Sequence, residues 1–359
     1  SGPLTLTDRS LRIPIGDALG AGGETVTVQG TGNAVRFDAT RETGGRLLDD
    51  PTYAFAASNN VVLSGTSSSV GFEGAGTVTY AGTISGSGSL VKNGTGDAVL
   101  TAANTFSGVV QVNAGRLRVS ADDQLGNAAN AVTIAGGYLG NVAGSDAAVV
   151  QNITVSSGGF DVQDASLTLS GVLSGSAAKR GAGTLSLDGF SANSAFDLTA
   201  LAGVTVLNKS GASAVRHLLG AEPGAVVRLA GSGGNQISGG ATLTGGTLDL
   251  NGLSESLTIL GSTNPASRVT NGGASLSVLT VGEGNMSGPF AGALTDGGGV
   301  LALTKTGTGA FRLLGGDTPQ SYSGATRVEQ GTLMFGAAAR YVRFTVLQTR
   351  TVGQNPGIS

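Results

Sequence analysis

The chain has 359 residues, of which 63 are glycine, 40% are hydrophobic and only 12% are charged, and its formal net charge is −3. A hydrophobic share this large excludes a disordered chain, and the slightly acidic balance excludes the basic surface that nucleic acid binding requires. The chain has no cysteine and no apolar run near the ~18 residues of a membrane helix, so we expect no disulfide, no thiolate metal site and no membrane-spanning segment.

The N-terminal segment, residues 1–20, forms the first predicted element. It is largely polar, and it lacks the basic start and the apolar stretch of a secretory signal peptide. We therefore expect residues 1–20 to form an N-terminal cap or lead-in segment of a mature or trimmed product.

The long middle segment, residues 21–337, repeats a glycine that is followed by an alternating apolar run. Alternation such as Val132-Thr133-Ile134 places apolar side chains on one face of a strand. A period of about 20 to 24 residues, with several short strands and no helical periodicity, predicts an all-β fold: a single-stranded, right-handed parallel β-helix with one coil per period. The glycines that begin these runs recur at this period, at Gly76, Gly96, Gly115, Gly137, Gly159, Gly183, Gly203, Gly224 and Gly246.

Asparagine recurs at positions that we interpret as turns between the strands of a coil. Two arrangements fit these residues: hydrogen-bonded ladders of stacked side chains, or isolated turns in the left-handed conformation. Either arrangement adds stability and neither adds chemistry. The residues are Asn104, Asn113, Asn127, Asn130, Asn152 and Asn251.

One stretch of the middle segment carries a family resemblance. Residues 82–119 resemble the passenger-associated transport repeat of autotransporter proteins, and the pattern recurs at residues 303–333. A shorter copy begins at Lys179, and all three copies contain Lys-x-Gly-x-Gly before an alternating strand, at Lys92, Lys179 and Lys305. We interpret these lysines as solvated turn charges whose aliphatic stems cover the edge of a coil, rather than as contacts to a ligand.

The resemblance implies an exported β-helical passenger that folds outside a bacterium of the Gram-negative type, with the repeat helping folding or secretion. Proteins with this repeat include adhesins, self-associating surface proteins and scaffolds that carry an enzyme domain. A shared fold does not by itself give a function.

The C-terminal residues, 338–359, differ in composition from the repeats. The run from Arg340 to Val346, with the final residues 357–359, resembles the opening strand of a discoidin-like carbohydrate-binding domain. We expect this extension to cap the last coil or to add a strand to a neighbouring molecule. Its candidate partner-binding residues are Tyr341, Arg343 and Phe344.

Parallel β-helices also include glycan-active enzymes, which need clustered carboxylates. The adjacent acidic pairs Asp49-Asp50 and Asp122-Asp123 lie in contexts typical of turns, and we interpret them as solvated loop carboxylates. The single histidine, His217, is predicted to lie in a loop or short helical turn with a structural role. We expect no catalytic residue, no metal ligand and no cofactor.

The composition and the repeats together predict a non-catalytic extracellular protein: a surface stalk, an adhesin or a self-assembling filament subunit. The expected partners are other copies of the chain, joined head to tail or laterally, and a cell surface or glycan. The alternatives are a glycan-active enzyme and a glycan-binding module that uses surface asparagines and aromatics such as Tyr53, Tyr80 and Tyr138.

Overall fold

The structure, a computed structural model, describes residues 4–7, 11–13, 25–29, 33–39, 41–43, 46–48, 52–232, 235–286, 288–314 and 320–336. These residues form short strands and two 3-10 segments, Asp122–Leu125 and Glu283–Asn285. No helix in this part of the chain has the length and apolar character needed to cross a membrane.

The strands are short and follow one another along the whole described chain. The first are β1 (Leu4–Leu6), β2 (Leu11–Ile13), β3 (Thr25–Val28), β4 (Ala34–Ala39), β5 (Arg41–Thr43), β6 (Arg46–Leu48), β7 (Ala54–Ala57), β8 (Asn60–Leu63), β9 (Ser69–Gly74), β10 (Thr77–Tyr80), β11 (Ile84–Gly86), β12 (Ser89–Lys92), β13 (Asp97–Leu100), β14 (Val110–Val112) and β15 (Arg116–Val119). The middle strands are β16 (Val132–Asn141), β17 (Ala147–Val149), β18 (Ile153–Asp161), β19 (Ser166–Leu169), β20 (Leu173–Arg180), β21 (Thr184–Gly189), β22 (Ala195–Ala200), β23 (Val204–Lys209), β24 (His217–Ala221), β25 (Val226–Leu229), β26 (Ala241–Thr242) and β27 (Thr247–Asp249). The last are β28 (Glu255–Leu257), β29 (Leu260–Gly261), β30 (Arg268–Asn271), β31 (Ser277–Val281), β32 (Gly288–Phe290), β33 (Ala293–Asp296), β34 (Leu301–Lys305), β35 (Ala310–Leu313), β36 (Thr326–Val328) and β37 (Thr332–Phe335).

The strands stack in three parallel columns, and each coil passes through columns 1, 2 and 3 in turn. Column 1 begins with β1, β3, β8 and β11. It continues, at the same position within each coil, with β17, β19, β21, β23, β25, β27, β30 and β33. Column 2 begins with β2, β4, β9, β12 and β14 and ends with β28, β31, β34 and β36. Column 3 begins with β7, β10, β13 and β15 and ends with β32, β35 and β37. The long strands β16, β18 and β20 continue from column 2 into column 3.

The register of column 2 shows the coil repeat directly. Leu90 pairs with Val110, Val110 with Val132, Val132 with Ile153, and Ile153 with Leu173. The chain therefore returns to the same place in the coil at the period that the glycines predict. The predicted parallel β-helix is confirmed, and it has about 13 coils.

One early coil is longer, because it contains an insertion. In column 1, Val26 pairs with Val61, a longer step along the chain than the next one, from Val61 to Ile84. The extra residues include the antiparallel pair β5 and β6, the one antiparallel pairing within the described residues. The strands β1 and β2, which fall in the segment predicted to be a cap or lead-in, pair in parallel with β3 and β4.

The core is a narrow column of aliphatic side chains. The five column 2 residues Leu90, Val110, Val132, Ile153 and Leu173 are each 0–1% exposed and lie one above another. Each such burial contributes roughly 1.5–3 kcal/mol, so stability accumulates coil by coil. Near the N-terminus the core also contains an aromatic cluster with ring centroids 4.9–5.8 Å apart, formed by Phe37, Phe72 and Tyr80.

Candidate functional site

All four lysines of the chain are buried at corners of the solenoid, where they are at most 1% exposed: Lys92, Lys179, Lys209 and Lys305. The prediction that three of them are solvated turn charges is therefore wrong. The physical reason is strand alternation, because each lysine lies two residues after an inward-facing residue of the same strand, as Lys92 follows Leu90. The lysine side chain consequently enters the core, and its charge must be satisfied there.

Lys179 shows most fully how the charge is satisfied. Its Nζ donates hydrogen bonds to the carbonyl oxygens of Gly181 at 2.8 Å and Gly183 at 2.6 Å, in the turn that follows β20. It also donates to the carbonyl of Ala202 in the next coil, at 2.7 Å. The side chain thus ties its own turn to the coil above, and we call this arrangement a lysine latch.

The same latch occurs at the other two copies of the motif. Lys92 Nζ donates to the carbonyl of Gly94 and, at 3.4 Å, to that of Ala114 in the next coil. Within its own turn, Lys305 Nζ donates hydrogen bonds to the carbonyl oxygens of Thr306 and Gly307, the latter at 2.8 Å. It also donates to the carbonyl oxygen of Gln330 in the next coil, at 3.3 Å.

The latches lie at different corners of the rod. Lys92 and Lys305 lie between columns 2 and 3, and Lys179 lies between columns 3 and 1. Lys209, which ends a column 1 strand, donates instead to the carbonyl of Gly171 in an earlier coil at 3.2 Å. Each of the three corners therefore contains a buried ammonium group.

Glycines of the following coil lie directly against the lysine ammonium groups. Gly115 and Gly203 have φ values of +63° and +64°, in the left-handed region that favours glycine. A Cβ atom on Gly115 would lie 2.7 Å from Lys92 Nζ, and one on Gly203 would lie 2.5 Å from Lys179 Nζ. Part of the glycine excess is thus explained by the space that the buried ammonium groups need.

Burial changes the protonation of the latches. It lowers the pKa of Lys92 to about 8, against the opposing attraction of Asp97 and Glu73. It likewise lowers the pKa of Lys179 to about 8, opposed by Asp161. Both groups remain mainly protonated at neutral pH, so the carbonyl dipoles of the turns hold a positive charge inside the rod.

Two buried asparagines bridge three consecutive coils. Asn193 Oδ1 accepts a hydrogen bond from the backbone N–H of Leu173 at 2.9 Å, and its Nδ2 donates to the carbonyl of Ala214 at 2.9 Å. Asn104 has the same arrangement nearer the N-terminus, with Ile84 at 2.7 Å and the carbonyl of Gln124 at 2.6 Å. Their main role is thus to bond the backbone of neighbouring coils.

Both arrangements expected for the asparagines also occur. Asn113 Nδ2 donates to Asn93 Oδ1 of the preceding coil at 2.8 Å, which is a two-membered side-chain ladder. Asn251 has a φ of 50° and so occupies a left-handed turn.

A buried carboxyl group interrupts the apolar core near β28. Glu255 is 2% exposed, and its side-chain oxygens accept hydrogen bonds from the backbone N–H groups of Gln236 at 3.0 Å and Ile237 at 2.9 Å. Burial raises the pKa of Glu255 to about 7, and the nearby Glu283 carboxylate adds to the rise. The group therefore titrates near neutral pH.

The outer face of column 3 carries a network of charges, which we call the arginine patch: Asp97, Arg116, Arg118, Tyr138, Asp161 and Arg180. Arg118 Nε lies 2.7 Å from Asp97 Oδ2, and Arg116 Nη1 lies 3.1 Å from Asp97 Oδ1. Asp161 Oδ2 forms ion pairs with Arg116 Nε at 2.6 Å, with Arg180 Nη2 at 3.4 Å and with Arg118 Nη2 at 3.5 Å. The guanidinium carbon of Arg180 lies 3.4 Å from the centre of the Tyr138 ring.

Within the described residues, His217 and the pair Asp122-Asp123 lie in different coils and form no acid and base pair. His217 begins strand β24, so the predicted loop or helical turn is wrong, and its Nδ1 lies 3.1 Å from Asp197 Oδ1. The same carboxylate binds Arg216 Nε at 2.9 Å, and this contact, with that of His217, holds the pKa of Asp197 below its ordinary value. Asp122 and Asp123 lie in a 3-10 turn, and Asp49-Asp50 lies outside the described residues.

No group of three or more histidine or acidic side chains is placed to hold a metal ion in the part of the chain that the structure describes. The aromatics named for glycan binding are also not an exposed row. Tyr80 is fully buried, Tyr53 packs against the core, and Tyr138 lies beneath Arg180. The candidates Tyr341, Arg343 and Phe344 lie outside the described residues.

Known proteins share the repeats of this chain. The passenger-associated-transport-repeat family matches residues 90–119 and 303–334, which contain the latches of Lys92 and Lys305. The adhesin BmaC autotransporter of Brucella suis biovar 1 (strain 1330) is 33% identical to the chain over 153 residues, which is 42% of this chain and 4% of that protein. No solved structure matches the chain significantly. The resemblance seen in the sequence is confirmed: the chain is a parallel β-solenoid that carries two passenger-associated-transport-repeats and is similar, over part of its length, to an autotransporter adhesin.

Proposed function

We propose that the chain is a segment of an exported adhesin passenger, a non-catalytic rod on the surface of a bacterium of the Gram-negative type. The observation that carries this proposal is the similarity to an autotransporter adhesin in a chain with two transport repeats. The matched region spans about 4% of that adhesin, so the proposal concerns this segment and not the activity of the whole relative.

The geometry supports a role based on extended surface. About 13 coils at a strand spacing of about 4.8 Å make a rod on the order of 60 Å long. Its carboxylates at Asp97, Asp161, Asp197 and Asp249 contact arginine side chains, so they serve as structural ion pairs. A rod of this kind holds a binding face away from the cell and presents it over several coils.

Adhesion can be measured with the purified chain attached to beads. Beads that carry the folded chain should bind cultured epithelial cells several-fold more than beads that carry albumin or the heat-unfolded chain. Binding no greater than that of the albumin beads would contradict an adhesive role, and the rod would then be a stalk.

We further propose that the chain associates with copies of itself through its C-terminal end. The last described coil exposes Val328 at 47% and Met334 at 45%. In the sequence this coil is followed by residues 338–359, which include Tyr341, Arg343 and Phe344. Electron microscopy and light scattering of the full chain and of a chain lacking residues 338–359 test this. End-to-end particles only in the full chain are expected, and monomers in both preparations would contradict the proposal.

A further inference from the structure

We infer that the arginine patch binds the carboxylate or sulfate groups of an acidic polysaccharide. This deepens the proposed function by naming a ligand class, and it rests on that function for its biological meaning. The patch contains three guanidinium groups and two carboxylates, so it has one positive charge in excess, although the chain as a whole has a net charge of −3. An excess cation on a flat face favours an anionic ligand.

The floor of the patch is rigid. The side chain of Arg118 is 5% exposed and lies between Asp97 and Asp161, with which it forms ion pairs at 2.7 and 3.5 Å. Its Nη1 also donates to the carbonyl of Asn141 at 3.2 Å, and a Cβ atom on Gly140 would lie 3.3 Å from that nitrogen. Arg118 thus uses its charge inside the patch and orders the two carboxylates.

The two remaining arginines are the ones that a ligand can reach. The side chains of Arg116 and Arg180 are 40% and 33% exposed. Their Nε and Nη2 atoms lie 2.6 and 3.4 Å from the same Asp161 oxygen, so the two guanidinium groups converge on one point of the face. Among the described residues, only this long contact to Asp161 engages a side-chain N–H group of Arg180. Because the Asp161 carboxylate lies at that point, an anionic group would approach from the solvent side and accept hydrogen bonds from the side-chain N–H groups of both arginines that Asp161 does not engage.

Two features hold Arg180 ready for such a ligand. The guanidinium carbon of Arg180 lies over the Tyr138 ring, 3.4 Å from its centre, and this contact restrains the group, so less side-chain entropy is lost on binding. Asp161 orients the group without enclosing it, since Arg180 stays one-third exposed. A planar guanidinium held in this way matches the two oxygens of a carboxylate or sulfate.

The surroundings favour a polysaccharide over a nucleic acid. In column 3, Thr79 pairs with Val99 one coil away, and Thr77 lies on the same face of strand β10, so both supply hydroxyl groups near the patch. A nucleic acid needs a row of cations along its backbone, whereas this patch has one excess charge within hydroxyl-bearing strands. An acidic sugar polymer needs few charges and many hydroxyl contacts.

Biolayer interferometry with immobilised polysaccharides tests the inference. The wild-type chain should bind polygalacturonate or heparin, which separate the carboxylate source from the sulfate source, and should bind neutral dextran at least tenfold more weakly. The double variant Arg116→Gln/Arg180→Gln should lose about tenfold in affinity, which corresponds to about 1.4 kcal/mol. The control Arg228→Gln/Arg268→Gln removes the same charge elsewhere and should bind within about twofold of wild type.

The single variant Arg180→Gln keeps the test valid if the double variant folds poorly, because Arg180 makes only one long ion contact within the described residues. Its urea midpoint should shift only slightly, as expected for the loss of one partly exposed cation–π contact, while its affinity falls about tenfold. Equal binding to dextran and to both acidic polymers, or unchanged affinity in the Arg180 variant, would overturn the inference. These measurements use the purified chain without cells, so they can fail while bead adhesion succeeds through another face.

Discussion

Replacing Lys179 with methionine tests whether the lysine latch stabilises the rod. Methionine fills a similar volume but donates no hydrogen bond, so the carbonyls of Gly181, Gly183 and Ala202 lose the partner that lies 2.6–2.8 Å away. Three such losses cost roughly 5 kcal/mol together at about 1.5 kcal/mol each. Removal of the buried charge returns about 3 kcal/mol, the equivalent of lowering a lysine pKa from its ordinary value to about 8. We therefore expect Lys179→Met to lower the free energy of unfolding by about 2 kcal/mol at pH 7.

The pH dependence gives the same variant a second readout. The pKa of Lys179 is lower in the folded state than in the unfolded chain, so the unfolded chain binds more protons as the pH rises above about 8. Stability therefore increases with pH in this window, by about 2 kcal/mol at pH 9.5. Because the methionine variant lacks this contribution, the gap between wild type and variant should grow to about 4 kcal/mol at pH 9.5.

Urea unfolding at pH 7 and pH 9.5, together with hydrogen exchange in the turns at 181–183 and 201–203, measures both effects. Exchange is needed because a repeat array can open locally. The matched control is Arg327→Met, which removes a cation that is 74% exposed and should change stability by less than about 0.5 kcal/mol. A Lys179→Met chain as stable as wild type at pH 7, or a gap that stays constant with pH, would refute the latch.

Three further predictions concern the turns and the core. Gly203→Ala should destabilise the chain by roughly 2 kcal/mol more than Gly211→Ala in urea, because both have left-handed φ values but only Gly203 adjoins a latch. Asn193→Ala should cost about 2–4 kcal/mol since it leaves a buried N–H and carbonyl unpaired, whereas the exposed Asn152→Ala should cost below about 1 kcal/mol. Burial raises the pKa of Glu255 to about 7, so the stability that this group contributes is complete at low pH and is lost as the pH rises from 4.5 to about 7. Hydrogen exchange of the amides of residues 236 and 237 should become faster over this pH range, relative to the exchange rate of an unfolded chain, in wild type but not in Glu255→Gln.

The coil and its period could be predicted from sequence because the signals are local. Glycine spacing and strand alternation reflect backbone geometry that repeats in every coil, and the paired register follows them. The burial of the lysines, in contrast, was predicted wrongly. A charge adjacent to glycines is usually solvated, yet the alternation that placed Leu90 inside also placed Lys92 inside, and strand register was a stronger signal than hydropathy.

The arginine patch could not be found from local sequence. Asp97 and Arg180 are far apart in the chain, and β13, β15, β16, β18 and β20 must stack before their side chains share a face. Arg118, Asp161 and Arg180 lie in one row of outward positions, with Gly140 between Arg118 and Asp161, so a search for charges at the coil period would have aligned them. The long strands that continue from column 2 into column 3 fix this register, and they were not evident from the repeat alone.

The burial of all four lysines gives the folded rod an unusual chemical property. The surface cations within the described residues are arginines, so no lysine amine of this part of the chain is available to acylating reagents, to glycating sugars or to ubiquitin-type conjugation. An unfolded chain exposes all four amines at once. Acylation of these lysines, followed by mass spectrometry, would therefore distinguish chains that have wound into coils from chains that have not, without any introduced probe.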